Sequence, residues 1–239
     1  MALLGDNLYP DGLDHPDDPR AEQIIAAPFR ALGVPLYLVL GNHDYGHTRG
    51  LGPARWQIAW AGRTPGVELP AHAWYFRAGP ATVVGLDTNH VLQFGGSAQL
   101  RFLAEQLGEV QTPWRVVLGH HPYRSDGPHG NAGAYEGWRG VPILSGRSLR
   151  RLFDEGLCAR ANLYLSGHDH NRQLLEHCGV PLIVSGAGAG ATEIVDRGNE
   201  PRFGVARPGL AWVELGPQAG QVVFIDALGV VEGAFPLHR

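Results

Sequence analysis

Lysine is absent from this sequence of 239 residues, and all 19 basic side chains are arginine. No single physical function removes every lysine, so the absence reads as a compositional bias of the source genome. Positive charge is not in excess either: the 19 arginines face 23 Asp and Glu, a formal net charge of -4, and the isoelectric point is about 6.3. That excludes the basic footprint by which a chain grips nucleic acid or an anionic membrane. No apolar run approaches the roughly 18 residues that a membrane-spanning helix needs. No secretory signal is visible, because Ala2 to Leu4 is too short an apolar stretch and Asp6 follows at once. Cysteine is scarce. Cys158 and Cys178 are the only two; a disulfide between them is allowed, but two isolated core thiols are the expected arrangement, and the pair does not settle the compartment. Internal repeats, low-complexity tracts and linkers are all missing.

What is present suits a packed α/β protein. The chain is 44% hydrophobic and 18% charged, enough to bury a sizeable core. Its length fits a single domain over residues 1–239, and 34 Gly with 18 Pro imply many turns between short elements. The pattern predicts a helix over Arg20 to Leu32, capped by Asp18, opened by Pro19 and stopped by Gly33. Further helices are predicted over Ser97 to Leu107 and Ser148 to Glu155. Apolar strands are predicted over Val34 to Leu40, Thr82 to Leu86, Arg115 to Leu118, Leu163 to Leu165 and Ile183 to Ser185. After Leu210 the texture alternates, as in antiparallel strands, over Leu210 to Leu215, Gln221 to Asp226 and Val230 to Leu237. Strand-helix alternation followed by a meander predicts layered sheets with helices outside.

Histidine is abundant, with 12 copies, and its placement is informative. One pattern recurs four times: an apolar strand, a glycine, then a residue able to bind metal. The four are L-L-G-D-N-L-Y, L-V-L-G-N-H-D, V-V-L-G-H-H-P and Y-L-S-G-H-D-H. In open α/β sheets, sites form beyond the carboxyl ends of strands. Four ends converging there would gather Asp6, Tyr9, Asn42, His43, His120, His121, His168 and His170. Carboxylate, amide oxygen and imidazole suit hard or borderline cations, not a thiolate site. Singly, each motif has a plain explanation. A Gly-Asp-Asn turn is usually just a turn, and a lone His after a strand is more often hydrogen-bonded than ligated. Asp87, also at a strand end, is expected to serve a structural hydrogen-bonding role. The joint occurrence is what points to a metal centre.

The ordered set G-D-x-x-Y, G-N-H-D, V-x-x-H and G-H-x-H resembles the calcineurin-like metallophosphoesterases, specifically the purple acid phosphatase type. The likeness runs from Gly5 to the C-terminal strands. It implies an α/β fold, a two-sheet sandwich flanked by helices (αββα), and a dinuclear metal centre. By position, Asp6 would bridge the metals, Tyr9 and His170 would hold Fe(III), and Asn42, His120 and His168 would hold a divalent ion, Fe, Zn or Mn.

The implied activity is hydrolysis of a small phosphorylated substrate, most directly a phosphomonoester. A bridging carboxylate holds two cations about 3.5–4 Å apart, where they clamp phosphate oxygens and supply a metal-bound hydroxide. Tyr9, as a hard anionic phenolate, favours the trivalent ion. His43, next to Asn42, is placed to protonate the leaving alkoxide, with Asp44 expected to hold or tune its imidazole. His129, in S-D-G-P-H-G, matches a second His over the substrate in the family. His121 is expected either to touch substrate or to support its neighbour. His15, His47, His72, His90, His177 and His238 are given no role. The Gly127 to Arg139 loop, with Tyr135 and Trp138, is expected to border the pocket.

One departure from the family stands out. The family supplies another Asp, in a D-x-G or D-x-H motif, from a strand ahead of G-D-x-x-Y, and none precedes Gly5 here. The trivalent position would then have Asp6, Tyr9 and His170 plus water and bind more weakly than the other. Met1 abutting the ligand turn leads us to expect about 30–50 further residues upstream, since a parallel neighbour and its crossover take a dozen or more. Any secretion signal would lie there too, and the resemblance implies a secreted or periplasmic setting. Two alternatives stay open: a diesterase of the same fold, and a non-catalytic pseudoenzyme with a depleted site.

Overall fold

A computed structural model of the chain describes residues 1–46, 50–108, 112–135 and 145–238. The first three strands are β1 (Ala2–Leu4), β2 (Leu36–Val39) and β3 (Val67–Glu68). They are followed by β4 (Ala73–Ala78), β5 (Ala81–Leu86), β6 (Trp114–Leu118) and β7 (Leu163–Ser166). β8 (Arg172–His177), β9 (Val180–Ser185) and β10 (Phe203–Val205) come next. The chain ends in β11 (Gly209–Leu215), β12 (Gly220–Asp226) and β13 (Val231–Leu237). Five α-helices are described: α1 (Gly52–Ala61), α2 (Thr88–Phe94), α3 (Ser97–Gly108), α4 (Arg147–Leu152) and α5 (Cys158–Arg160).

A seven-stranded sheet in the order β10-β8-β9-β7-β6-β5-β4 forms the large layer. Its centre, β5, β6, β7 and β9, is parallel, while β4, β8 and β10 pair antiparallel. Parallel strands are buried on both faces, which is why these segments read as unbroken apolar runs. Along β6, Trp114, Val116 and Leu118 join one core cluster and Val117 the other. The second cluster packs under the helices, against Leu103 of α3 and Leu149 and Leu152 of α4. The first cluster packs against Leu38 of β2 and against Val222 and Phe224 of β12.

The expected layered α/β architecture is therefore present, with its second β layer built in two pieces. One is the parallel sheet β1-β2-β3, and the other is the antiparallel meander β11-β12-β13. The meander's tie to the large sheet is partly ionic. The wholly buried Arg172 guanidinium pairs with Glu232 of β13 and donates to the Ile225 carbonyl at 2.9 Å.

Two local expectations are corrected. The segment 20–32 is not a regular helix: Ala21–Ala26 is a π-helical stretch and Ala27–Leu32 a 3-10 helix. Pro28 lacks an N–H and its ring conflicts with the preceding turn, so the α pattern cannot continue through it. Gly33 closes the segment in the left-handed region, as expected. The second correction is Cys158 and Cys178. They are not isolated thiols but a disulfide, with Cα atoms 5.6 Å apart. The β8–β9 turn comes back against the start of α5 and brings the two side chains together.

Candidate metal centre

Each of the four glycine turns lies at the carboxyl end of a strand: β1 before Gly5-Asp6, β2 before Gly41-Asn42, β6 before Gly119-His120, β7 before Gly167-His168. β1 pairs with β2 in parallel, which sets the Asp6 and Asn42 turns side by side. β6 pairs with β7 in parallel and does the same for His120 and His168. Gly5 must be glycine twice over. Its φ is +90°, and a Cβ there would collide with the His120 ring. Asp6 and His168 also take positive φ, 54° and 65°. Such conformations are costly for non-glycine residues and gather at functional sites.

The tightest convergence is at Nε2 of His120. It lies 3.0 Å from His168 Nδ1, 3.1 Å from Asn42 Oδ1 and 3.3 Å from Asp6 Oδ2. His120 Nδ1 is spent on the Leu4 carbonyl at 2.8 Å. A carbonyl only accepts, so Nδ1 carries a hydrogen, and Nε2 once deprotonated turns a lone pair toward three other electron-rich atoms. That is a cation's environment. Ligands ~2.1 Å from one ion would be ~3.0–3.4 Å from each other, and these spacings fall in that range. The residues therefore fit a metal.

A second grouping adjoins the first. The Tyr9 hydroxyl lies 3.1 Å from Asp6 Oδ2 and 3.1 Å from His170 Nε2. Asp6 thus faces both sets with the same oxygen, while its other oxygen accepts the His43 N–H at 2.9 Å. Burial alone would raise the Asp6 carboxyl, but the His120 imidazole and the His43 N–H hold it well below the usual carboxylate range. Burial, reinforced by the surrounding imidazoles, pushes His168 well down. Neutral imidazole is the form that binds metal.

His43 lies beside this centre with its ring centroid 4.1 Å from that of Tyr9. Its Nδ1 meets the Pro10 carbonyl at 2.7 Å. Asp44 does not hold it, contrary to expectation. The fully buried Asp44 carboxylate instead accepts the N–H groups of Asn7 (3.0 Å), Leu8 (3.2 Å) and Gly41 (2.8 Å). The 3-10 turn His43–Tyr45 sends neighbouring side chains in different directions, so adjacency in sequence did not become contact. Asp44 ties the Asp6 turn to the Asn42 turn.

His129 is brought to the site: its ring centroid is 4.0 Å from that of His168. A ring nitrogen of His121 also belongs to the cluster, within 4.8 Å of one on His120 and one on His168. His121 Nδ1 is 2.9 Å from Thr88 Oγ1, and the same oxygen accepts the N–H groups of His120 and His121. Thr88 is a positioning residue that inspection of the sequence missed; its signal was the strand-end G-L-D-T-N. Asp87 has the structural role expected, accepting from His90 N (2.8 Å) and from the Tyr45 hydroxyl (2.6 Å). His72, outside the motifs, pairs with Asp87 at 2.7 Å. Tyr135 lies near the site, 6.0 Å from the His121 ring. Trp138, Arg139 and His47 lie outside the described residues.

Comparison with known proteins identifies the family. The model of the calcineurin-like phosphoesterase family matches residues 2–172. The chain is similar to purple acid phosphatase 17 of Arabidopsis thaliana, 30% identical over 224 residues, covering 80% of this chain and 59% of that protein. It is also similar to purple acid phosphatase 3 of the same plant, at 29% identity, covering 97% of this chain and 66% of that protein. A third likeness is to tartrate-resistant acid phosphatase type 5 of Rattus norvegicus, at 27% identity, covering 96% and 75%. The chain thus spans under two thirds of the length of the two plant relatives. Among solved structures, GAP50, the anchor in the inner membrane complex of Plasmodium, superposes with a TM-score of 0.77 at 19% identity, covering 99% of this chain and 77% of that one. A purple acid phosphatase from yellow lupin (Lupinus luteus) seeds superposes with a TM-score of 0.65 at 18% identity, covering 92% and 43%. At those identities the two structures speak to the fold alone.

Proposed function

The chain belongs to the calcineurin-like phosphoesterase family, purple acid phosphatase type, and from that premise we propose that it hydrolyses phosphate monoesters at a centre holding two metal ions. The observation that carries the proposal is Asp6. One carboxylate stands against the Asn42/His120/His168 set and against the Tyr9/His170 set at once, which is the place of a ligand shared between two ions.

In this reading Asn42, His120, His168 and Asp6 hold a divalent ion, Fe, Zn or Mn, and Asp6, Tyr9 and His170 hold Fe(III). Bound there, the ions supply Lewis acidity, polarising phosphoryl oxygens and acidifying water. The protein's own groups do the rest. His43, with Nδ1 committed to the Pro10 carbonyl, has Nε2 left as the atom that, in the imidazolium form, protonates the departing alkoxide. His129, beside His168, orients the phosphoryl group. The substrate is a small phosphorylated molecule. Among the described residues no helix is long and apolar enough to cross a membrane. The Cys158–Cys178 disulfide supports an oxidising setting, secreted or periplasmic.

The test compares turnover of nitrophenyl phosphate with that of bis(nitrophenyl) phosphate by protein whose metal content has been measured. Monoester hydrolysis lost on chelation and restored by Fe with Zn or Mn supports the proposal. Preference for the diester would reassign the substrate class. Metal-loaded protein that binds phosphate but turns over neither would make it a non-catalytic binding protein.

A further inference from the structure

Residues 186–202 between β9 and β10 form no helix or strand, yet part of this segment is tied closely to the metal-ligand turns. At one end the Thr192 N–H donates to the His170 carbonyl at 2.7 Å. At the other the segment grips the loop that carries His129. Val195 N–H donates to the Asp126 carbonyl at 2.6 Å. Asn199 Nδ2 donates to Asp126 Oδ1 at 2.7 Å and to Asn131 Oδ1 at 3.0 Å. The Arg197 guanidinium forks onto two successive carbonyls, Gly127 at 2.8 Å and Pro128 at 2.9 Å, immediately before His129.

From beneath, the same loop is held by Asp169, the residue between His168 and His170. Its wholly buried carboxylate accepts the His129 N–H at 2.9 Å. Gly127 packs so close over that carboxylate that a Cβ would overlap it. A buried polar network fixes the start of the loop: Gln173 Oε1 accepts Asp126 N–H at 2.9 Å, and Gln173 Nε2 donates to Ser125 Oγ at 2.9 Å. The His129 imidazole itself stays accessible to solvent. So the backbone leading into His129 is anchored, the Asn131 side chain just beyond it is held as well, and the ring is left to work.

We propose that Arg197 and Asp169 are positioning residues for His129, acting from two sides through the strap at residues 192–199 and the turn between the metal-ligand histidines, and that they set how tightly the site grips a phosphoryl group. The second half of this statement rests on the phosphoesterase reading above; the first half does not. A single hydrogen bond to a loop carbonyl could be incidental. A guanidinium fork needs two carbonyls at fixed spacing, and a lysine cannot reproduce it.

The experiment uses the metal-loaded full chain and two readouts. Amide hydrogen exchange is followed at Gly127, His129 and Gly130, and inorganic phosphate affinity is measured by calorimetry, with metal content checked in every variant. Arg197→Ala should speed exchange at His129 by at least about tenfold and weaken phosphate binding by about tenfold, the scale of losing a loop's hydrogen bonds. Metal content and exchange at His120 should stay as in the parent protein. Arg197→Lys, the milder change, should recover part of both effects. Residues that act as one unit are non-additive, so the Arg197→Ala/His129→Ala pair should bind phosphate no more weakly than His129→Ala alone. Unchanged exchange at His129 in Arg197→Ala, or strictly additive losses in the pair, would overturn the proposal. A parent protein that binds no phosphate would defeat the phosphoesterase reading while the exchange data still decide the positioning.

Discussion

Tyr9 and His170 are 161 residues apart in sequence, yet the phenolic oxygen of one stands 3.1 Å from Nε2 of the other. The contact joins the turn after β1 to the turn after β7, with Asp6 completing the group.

Tyr9 should make metal uptake at this position pH-dependent. Burial first, then the Asp6 charge, pushes the Tyr9 phenol well above its ordinary range. The group is therefore protonated in metal-free protein near neutrality, and ligation as phenolate must expel that proton. Affinity should rise with pH. Calorimetry in buffers of different ionisation enthalpy should count one proton fewer in Tyr9→Phe. Any violet phenolate-to-iron colour should vanish with it. An identical proton count in the two proteins would remove Tyr9 from the ligand set.

His43→Ala should lower turnover of an alkyl phosphate by about 10²–10⁴, the usual scale of general acid catalysis. With nitrophenyl phosphate the loss should shrink, because nitrophenolate leaves without a proton. Equal losses would mean that His43 stabilises charge instead.

Asp44→Ala should destabilise the fold, because it strands the buried N–H groups of Leu8 and Gly41 and the part-buried one of Asn7. A loss of at least about 2 kcal/mol in denaturant unfolding is expected. The ratio of alkyl to nitrophenyl turnover should keep its parent value in whatever protein folds. A changed ratio would return Asp44 to the role of His43's partner.

Asp44 also marks the limit of what was legible beforehand. The strand-Gly-ligand turns could be seen because each combines two strong local signals, an apolar run and a residue type with few reasons to follow it. Their convergence followed from the rule that sites form beyond strand ends. Side-chain direction inside a three-residue 3-10 turn has no such local signal. The same holds for β8, where Arg172 and Gln173 are buried polar residues: their partners, Glu232, the Ile225 carbonyl and Ser125, come from distant parts of the chain. The short strand β3 and the helix α2 were missed because two residues, or seven, hold too little periodicity to recognise. The contact of Asp169 with the His129 N–H was hidden behind the histidines on either side of it.

The disulfide should matter to stability and not to chemistry. It closes a loop of 20 residues in sequence separation, and loops of this size are worth about 3 kcal/mol. Replacing Cys158 and Cys178 together by Ser should lower Tm, by ~2–4 °C per kcal/mol in a chain of this size. Metal content and turnover below the transition should match the parent, and a lost metal signal would show the staple reaching the site.

Asp6, Tyr9 and Asn42 follow strands of the small parallel sheet, whereas His120, His168 and His170 follow strands of the large one. An ion held by both sets, as proposed, would be a rivet through a seam. Without it, the two sheets are joined by apolar packing and a few hydrogen bonds, such as His120 to the Leu4 carbonyl and Trp74 to the Leu38 carbonyl. Cation binding is then linked to the docking of one sheet on the other, and chelation should loosen the molecule unevenly. Amide exchange should rise first in β1 and β2 while β5, β6 and β7 stay protected, so that this protein's metal content reports on its mechanical integrity as much as on its chemistry.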